Sequence, residues 1–305
     1  MTTREKRWAV ADLPSLTGRT IVVTGASSGL GTVTARELAH AGAHVVLAVR
    51  DLARGSSVAT TLPGSTEVRH LDLADLSSVR RFAAEWNGPL DVLVNNAGVM
   101  AIPEARTVDG FEMQFGTNHL GPFALTNLLL PHITDRVVTV ASNAHRRPGV
   151  DIHFDDINFS NSYSPWRAYQ QSKLANLLFT RELQRRLTAA GSPVTAHAAH
   201  PGYAATNLQG RSGSAVQRVV LAITNRFLAQ SDRMGALPTL YAATQSLPGG
   251  SYTGPDRRGE TRGHPAPAQL SPQARDDIRA RRLWELSEEL TSVRFPRPRS
   301  GGSAA

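Results

Sequence analysis

Tyr169 and Lys173 stand four residues apart in AYQQSKLANLLF. On a helix that spacing puts both side chains on one face, with the lysine one turn beyond the tyrosine. An ammonium there favours the phenolate and lowers the tyrosine pKa towards the working range of an acid/base catalyst. Tyr-x-x-x-Lys is ordinarily a weak pattern. This chain has five tyrosines and only two lysines, Lys6 and Lys173, so coincidence is a poor explanation. The bland alternative is an exposed tyrosine beside a solvated lysine.

A second cluster is Thr24-Gly25-Ala26-Ser27-Ser28-Gly29-Leu30-Gly31. Glycines at these intervals let the backbone turn tightly and approach a pyrophosphate, whose charge sits at the N-terminus of the following helix. The spacing G-x3-G-x-G departs from the usual G-x-G-x-x-G. Its place between a strand and a helix makes it more than a structural turn. The next strand ends Ala48-Val49-Arg50-Asp51. Dinucleotide folds that select NAD carry an acid at this strand end for the ribose 2′-hydroxyl. Here Val49 holds that place and Arg50 follows, so a 2′-phosphate meets a guanidinium. NADP(H) is therefore expected over NAD(H), with Asp51 capping the next helix.

These residues need a scaffold, and the sequence supplies one. Strand-like runs at Arg19–Thr24, Ala43–Val49, Thr66–Leu71, Leu90–Val94, Arg136–Ala141 and Val194–Ala199 alternate with helical patterns at 29–41, 51–61, 75–87, 111–133 and 167–190. Several runs are continuously apolar, as strands covered on both faces are. The expectation is an α/β fold, a three-layer doubly wound (Rossmann) parallel sheet in a single domain. Residues 1–255 are assigned to this catalytic domain and 256–291 to a C-terminal extension with a helix at 273–291. Residues 292–305 are assigned to a disordered tail. Within 201–230, Val216, Val219, Val220, Ile223 and Phe227 repeat at helical spacing, and a lid at about 203–230 is expected over the site. A further helix is expected at Asp232–Ser246, with an irregular Pro/Gly/Arg-rich stretch from Gly254 to Pro272.

Composition narrows the function. The 305 residues are 41% hydrophobic, enough for a sizeable core. No cysteine is present, which excludes a disulfide scaffold, a cysteine nucleophile and thiolate-held metals. The net charge of +8 comes from arginines scattered along the helices, with clusters at Arg257, Arg258, Arg262 and at Arg279, Arg281, Arg282. A nucleic-acid binder would gather them in one strip with a recognisable module. No apolar run reaches the ~18 residues of a membrane span and the N-terminus lacks a signal-peptide core, so a cytoplasmic protein is expected. His145, His197 and His200 follow different strands without an acidic ligand at metal spacing, so no metal site is assigned.

Taken in order, the motifs resemble the short-chain dehydrogenase/reductase superfamily. The matching segments are Thr24–Gly31, Asp72-Leu73, Asn95-Asn96-Ala97-Gly98, Asn118, Ser142, Tyr169/Lys173, and Pro201-Gly202 with Thr206. Within it, DGFEMQFGTNHLGPFALTNLLLP, AYQQSKLANLLFTRELQRRL and the long insertion between Ser142 and Tyr169 are similar to the branch of retinol dehydrogenases, WW-domain oxidoreductase and protochlorophyllide reductase. The last of these uses a site cysteine for photochemistry, which this chain lacks. The resemblance implies that Tyr169 exchanges a proton with the substrate oxygen and Ser142 holds that oxygen. It implies that Lys173 binds the nicotinamide ribose and Asn118 holds a water for a relay to Lys173. It further implies that Asp72 meets adenine and Asn95 closes the cofactor cleft, with Leu73, Ala97 and Gly98 among the cofactor-binding residues. Thr206 is implied to bind carboxamide or phosphate, with Pro201 and Gly202 among the cofactor-binding residues.

The expected activity is NADP(H)-dependent interconversion of an alcohol and a carbonyl, on a small and lipophilic substrate. The competing class is a non-catalytic NADP-binding regulator on the same fold. The retained set Asn118, Ser142, Tyr169 and Lys173 argues for the enzyme. Assembly into a homo-oligomer is left open.

Overall fold

The computed structural model describes residues 7–202 and 231–296. The elements run β1 (Thr20–Thr24), α1 (Gly29–His40), β2 (His44–Val49), α2 (Leu52–Ala59), β3 (Thr66–His70), α3 (Leu76–Ala84) and β4 (Leu90–Asn95). A continuous helical stretch follows, made of α4 (Met113–Phe115), a π-helical segment (Gly116–Leu120) and α5 (Gly121–Leu129). Then come β5 (Ile133–Val140), α6 (Pro165–Ala189), β6 (Thr195–Ala199), α7 (Asp232–Thr244), β7 (Tyr252–Arg257), β8 (Arg262–Pro267) and α8 (Asp277–Thr291). They build one eight-stranded sheet in the order β3-β2-β1-β4-β5-β6-β7-β8. The first seven strands are parallel and β8 is antiparallel to β7.

Each strand feeds both layers because side chains alternate across the sheet. In β1, Val22 joins a core with Val79 and Phe82 of α3, Phe123 of α5 and Phe179 of α6. Its neighbours Ile21 and Val23 point the other way, to Ala35 and Leu38 of α1 and Leu240 of α7. Asp51 and Asp75 cap α2 and α3, accepting from Arg54 N–H at 3.0 Å and Ser77 N–H at 2.8 Å.

The C-terminal part departs from expectation. Residues expected to be irregular complete β7 and form β8. Pro265 and Pro267 fit there because β8 is an edge strand, where a missing donor goes unnoticed. Helix α8 is part of the core rather than an appendage. Trp284 is fully buried, edge-on to Phe123 at 4.9 Å and stacked on Phe179 at 5.7 Å, with the Arg186 guanidinium 4.6 Å from its ring. The tail boundary also moves. Val293 is buried, Phe295 N–H donates to Glu288 at 3.1 Å, and Arg80 donates to Thr291 O at 2.6 Å. Order therefore continues to 296, while 297–305 lie outside the described residues, as does the expected lid at 203–230.

Two changes test this packing. Trp284→Ala is expected to cost about 3–5 kcal/mol, as large-to-small substitutions of buried aromatics do. Ending the chain at Thr291 deletes the buried Val293 and the Phe295 contact, at a cost of about 2 kcal/mol and roughly 4–8 °C in Tm. Calorimetric melting checks both; an unchanged Tm in either protein contradicts the packing described.

Candidate active site

The strand order reverses between β1 and β4, since β2 and β3 lie on one side of β1 and the later strands on the other. Open sheets of this kind bind ligands in the crevice beyond the C-terminal strand ends at that reversal. The sequence-derived residues that leave β1, β4, β5 and β6 all emerge at this edge.

The glycine-rich turn is held from two directions. Gly25 and Gly29 take positive φ of 68° and 53°, which side chains disfavour. A Cβ on Gly31 would collide with Gly25 O and come within 2.6 Å of Asn96 Nδ2. Thr24 Oγ1 accepts from Asn96 N–H and Ala97 N–H, each at 3.0 Å, and Asn96 Nδ2 donates to Thr24 O at 2.8 Å. Ser28 precedes α1 without a side-chain cap, leaving the first-turn amides open to an anion. This is a cradle that fits a dinucleotide pyrophosphate. Ser27 and Leu30 are half-buried in the same turn. Arg50 is exposed immediately after β2 and forms no ion pair among the described residues.

Two expected cofactor residues are placed differently from their assigned roles. Asn95 is buried with its amide donating to Thr126 Oγ1 of α5 at 2.9 Å, so its side chain serves the helix layer rather than the cleft. The neighbouring Asn96 does the work at the turn and was missed. Its signal was adjacency in the same Asn-Asn-Ala-Gly quartet. Asp72 accepts from Ala74 N–H at 2.9 Å and its own N–H donates to Ser78 Oγ at 3.0 Å, so it shapes the turn after β3, with Leu73 buried beside it. Pro201 and Gly202 follow β6, and Gly202 (φ 70°) abuts Thr261 O of the β7–β8 hairpin. Thr206 lies outside the described residues.

The proposed chemistry converges on α6. Tyr169 is 8% exposed, and the Ser142 side chain is near enough to act on its hydroxyl. Ser142 Oγ accepts Ala144 N–H at 3.1 Å, which leaves its own hydrogen to be donated. One turn on, Lys173 Nζ donates to Val140 O at 2.9 Å, and Asn176 Nδ2 donates to the same carbonyl at 3.1 Å. Asn118 sits in the π-helical segment, a distortion common at functional sites. It clamps the strand that leaves β4, accepting from Val99 N–H at 2.8 Å and donating to Val99 O at 2.9 Å. Its amide also donates to Ser172 Oγ on α6 at 2.9 Å. A Cβ on Gly98 would lie 3.0 Å from Asn118 Oδ1 and 3.6 Å from Lys173 Nζ, so the loop, the amide and the ammonium meet at one point.

The electrostatics correct one expectation. Burial pushes the Tyr169 hydroxyl above its ordinary value of 10.0, with the neighbouring Ser142 side chain acting against it. Lys173 Nζ stands 5.8 Å from the Tyr169 ring centroid, and burial lowers its own pKa to about 8. Desolvation thus outweighs the cation's pull on the phenol, and both groups move towards their neutral forms.

Behind Ser142 lies a buried network that the sequence reading passed over. Ser271 N–H donates to His145 Nε2 at 3.3 Å, so the proton is on Nδ1, which donates to Ser142 O at 2.6 Å. Gly202 N–H donates to His200 Nδ1 at 3.2 Å, which puts the other proton on Nε2, facing Glu260 at 3.1 Å. Glu260 also accepts from Arg146 at 3.0 Å. The Tyr252 ring lies between the imidazoles, 5.7 Å from His145 and 5.2 Å from His200. Burial holds His145 at about 4. His197 instead bonds Thr195 at 2.9 Å. Among the described residues no cluster of His, Asp or Glu could hold a metal ion.

Comparison with known proteins agrees with this geometry. The family model for short chain dehydrogenases matches residues 19–217. The chain belongs to the short-chain dehydrogenase family. It is 41% identical to human Retinol dehydrogenase 13 over 302 residues, covering 92% of this chain and 87% of that protein. A crystal structure of an uncharacterized protein from Mycobacterium paratuberculosis superposes with a TM-score of 0.83 at 56% identity, covering 95% of this chain and all of that one. The Pseudomonas aeruginosa RhlG/NADP active-site complex superposes with a TM-score of 0.62 at 26% identity, covering 78% and 94% of the two chains. This family member is an oxidoreductase of the branch resembling retinol dehydrogenases, on a fold that binds nicotinamide dinucleotides. No helix among the described residues is long and apolar enough to cross a membrane.

The depressed Lys173 pKa carries a stability consequence. Between about pH 8 and 10.5 the unfolded chain keeps a proton that the folded chain has released, so this residue's contribution rises with pH across that window. Below it, burying the ammonium costs up to about 3 kcal/mol. Lys173→Met is therefore expected to be more stable than wild type at neutral pH and to lose that rise towards alkaline pH. Urea midpoints on both sides of the window measure it; a variant weaker than wild type at neutral pH would show that the Val140 bond outweighs burial.

Proposed function

We propose that the protein is an NADP(H)-dependent alcohol/carbonyl oxidoreductase whose working groups are Tyr169, Ser142, Lys173 and Asn118. The observation that carries this reading is the convergence of Tyr169, the Ser142 hydroxyl that acts on it and the Lys173 ammonium one helical turn away, 5.8 Å from the Tyr169 ring centroid. The bound dinucleotide supplies or accepts the hydride. Ser142 donates its hydroxyl hydrogen to the substrate oxygen, the direction left to it by Ala144 N–H. Tyr169 gives its proton to that oxygen during reduction and takes it back during oxidation. With its pKa raised, Tyr169 holds the proton that reduction consumes. Lys173 would hold the ribose of a bound dinucleotide, and Asn118 holds the loop after β4 beside Lys173.

Arg50 supports the cofactor choice, because the second strand ends in an exposed guanidinium and no carboxylate. An apolar substrate is supported by Trp166, which is 53% exposed and stands edge-on to Tyr169 at 6.1 Å. Trp166, Tyr169 and Lys173 follow one another along a single helix face, from solvent to the buried interior.

Screening NADPH oxidation against aldehydes, ketones, quinones and steroids tests the activity, with Tyr169→Phe as the blank. Tyr169→Phe is expected to lower turnover about 10²–10⁴-fold while cofactor affinity changes little. Wild-type binding of NADPH without turnover of any compound would favour a regulator. Arg50→Ala should weaken NADP(H) about tenfold or more, the worth of a charge-assisted bond, and leave NAD(H) unaffected; fluorescence titration decides. Trp166→Ala should raise KM for long apolar substrates more than for short ones, and an equal change for both would remove Trp166 from the substrate path.

A further inference from the structure

The β7–β8 hairpin carries positive charge that the oxidoreductase reading does not use. Ser231, Met234, Arg257, Arg258, Arg262 and His264 line a recess of about 490 Å³ at its side. Arg257 and Arg262 are cross-strand partners, directly opposite one another. Like charges in that position oppose the pairing. Asp256 is the acid at hand, and it is shared: its carboxylate lies 3.5 Å from Arg7 Nε and 3.9 Å from Arg257 Nε, and accepts His264 N–H at 3.0 Å. Glu260, in the same hairpin, is turned towards His200 and Arg146. Arg258 and Arg262 have no carboxylate partner among the described residues. Segment 203–230, which runs into Ser231, contains neither Asp nor Glu in its sequence.

The recess is on the catalytic edge of the sheet. Ala199 of β6 pairs with Val140 of β5 on one side and with Thr253 of β7 on the other. Ser142 is therefore two residues beyond that level and Arg257 four, on strands two apart. At about 3.3 Å per residue and 4.8 Å per strand, this puts the backbone of Arg257 roughly 12 Å from that of Ser142. The hairpin also touches the start of the chain that leaves β6, through Thr261 O and Gly202.

We propose that this recess binds an oxyanion group, a carboxylate or phosphate, of a small-molecule ligand. Guanidinium forks match both groups in bidentate geometry. Met234 gives the recess an apolar wall, and the charge is gathered around a concavity rather than spread along a strip, which fits a compact ligand better than a nucleic acid. The ligand is either the far end of the substrate or a separate anion, and the chemistry of recognition is the same.

The test uses the full chain saturated with whichever dinucleotide it binds more tightly, so that the cofactor's own phosphate contacts are filled. Inorganic pyrophosphate is titrated calorimetrically into wild type, Arg258→Gln/Arg262→Gln, and the control Arg281→Gln/Arg282→Gln on α8. The expected result is saturable binding at one site, weakened at least tenfold in the hairpin variant and kept in the control. No saturable binding by wild type, or equal affinity in the hairpin variant, overturns the proposal. Equal melting temperatures of the three proteins exclude misfolding, and single substitutions serve if the double variant melts early. Because the readout is binding, its failure leaves the oxidoreductase reading standing, and failure of turnover leaves this one standing. Two further arms identify the source. An ω-oxo fatty acid used better than the matching fatty aldehyde, with the advantage lost in the hairpin variant, assigns the oxyanion to the substrate. Arginine-dependent sedimentation with phosphatidylglycerol vesicles, without pyrophosphate binding, overturns the recess as a small-ligand site and makes the patch a lipid contact.

Discussion

The site depends on one buried ammonium. Lys173 lies under the catalytic edge with its Nζ bonded to the Val140 carbonyl, the last residue of β5. A charge in that position is costly, and it persists because helix α6 is fixed from several sides at once. Asn176 grips the same carbonyl, Ser172 is bonded to Asn118, and Leu174, Leu178 and Phe179 are buried in the packed layers. Helix α6 cannot shift without breaking these contacts together. Tyr169 and Ser142 inherit their alignment from that rigidity, which is what precise proton transfer requires.

The same edge is braced from the C-terminal side. His145 ties the Ser142 backbone to Ser271, and His200 ties the end of β6 to Glu260 and Arg146. Each imidazole is neutral and used at both nitrogens, so each acts as a fixed connector rather than a titrating group. The C-terminal extension is thus coupled to the candidate site on two fronts: through this network at the strand ends, and through Trp284, which packs on Phe179 of α6. An extension whose role the sequence left open packs into the frame that holds the candidate site.

Much of this was legible in the sequence. Apolar runs covered on both faces, separated by helical periodicity, specify a doubly wound sheet because local pattern and layer geometry agree. The placement of Tyr169 and Lys173 on one helix, and of the Thr24–Gly31 turn between β1 and α1, was readable for a similar reason, since each is set by spacing along the chain. Arg50 could be placed from its position one residue past a strand. Helix α8 was visible as an amphipathic pattern, but not what its apolar face would cover.

Tertiary structure alone decided the rest, because it depends on partners distant in the chain. No pattern separates Asn95 from Asn96; alternation at the strand end sends one amide to Thr126 and leaves the other against the glycine turn. The direction of the Tyr169 shift follows from how deeply α6 is buried, and burial is a property of the packed molecule. Pro265 and Pro267 read as breakers until the edge position of β8 makes their missing donors harmless. The sequence by itself determined the order of elements and the residue types at the catalytic edge, since both are local. Which side chains meet, and which charges stay in water, was decided only when the sheet brought distant segments together.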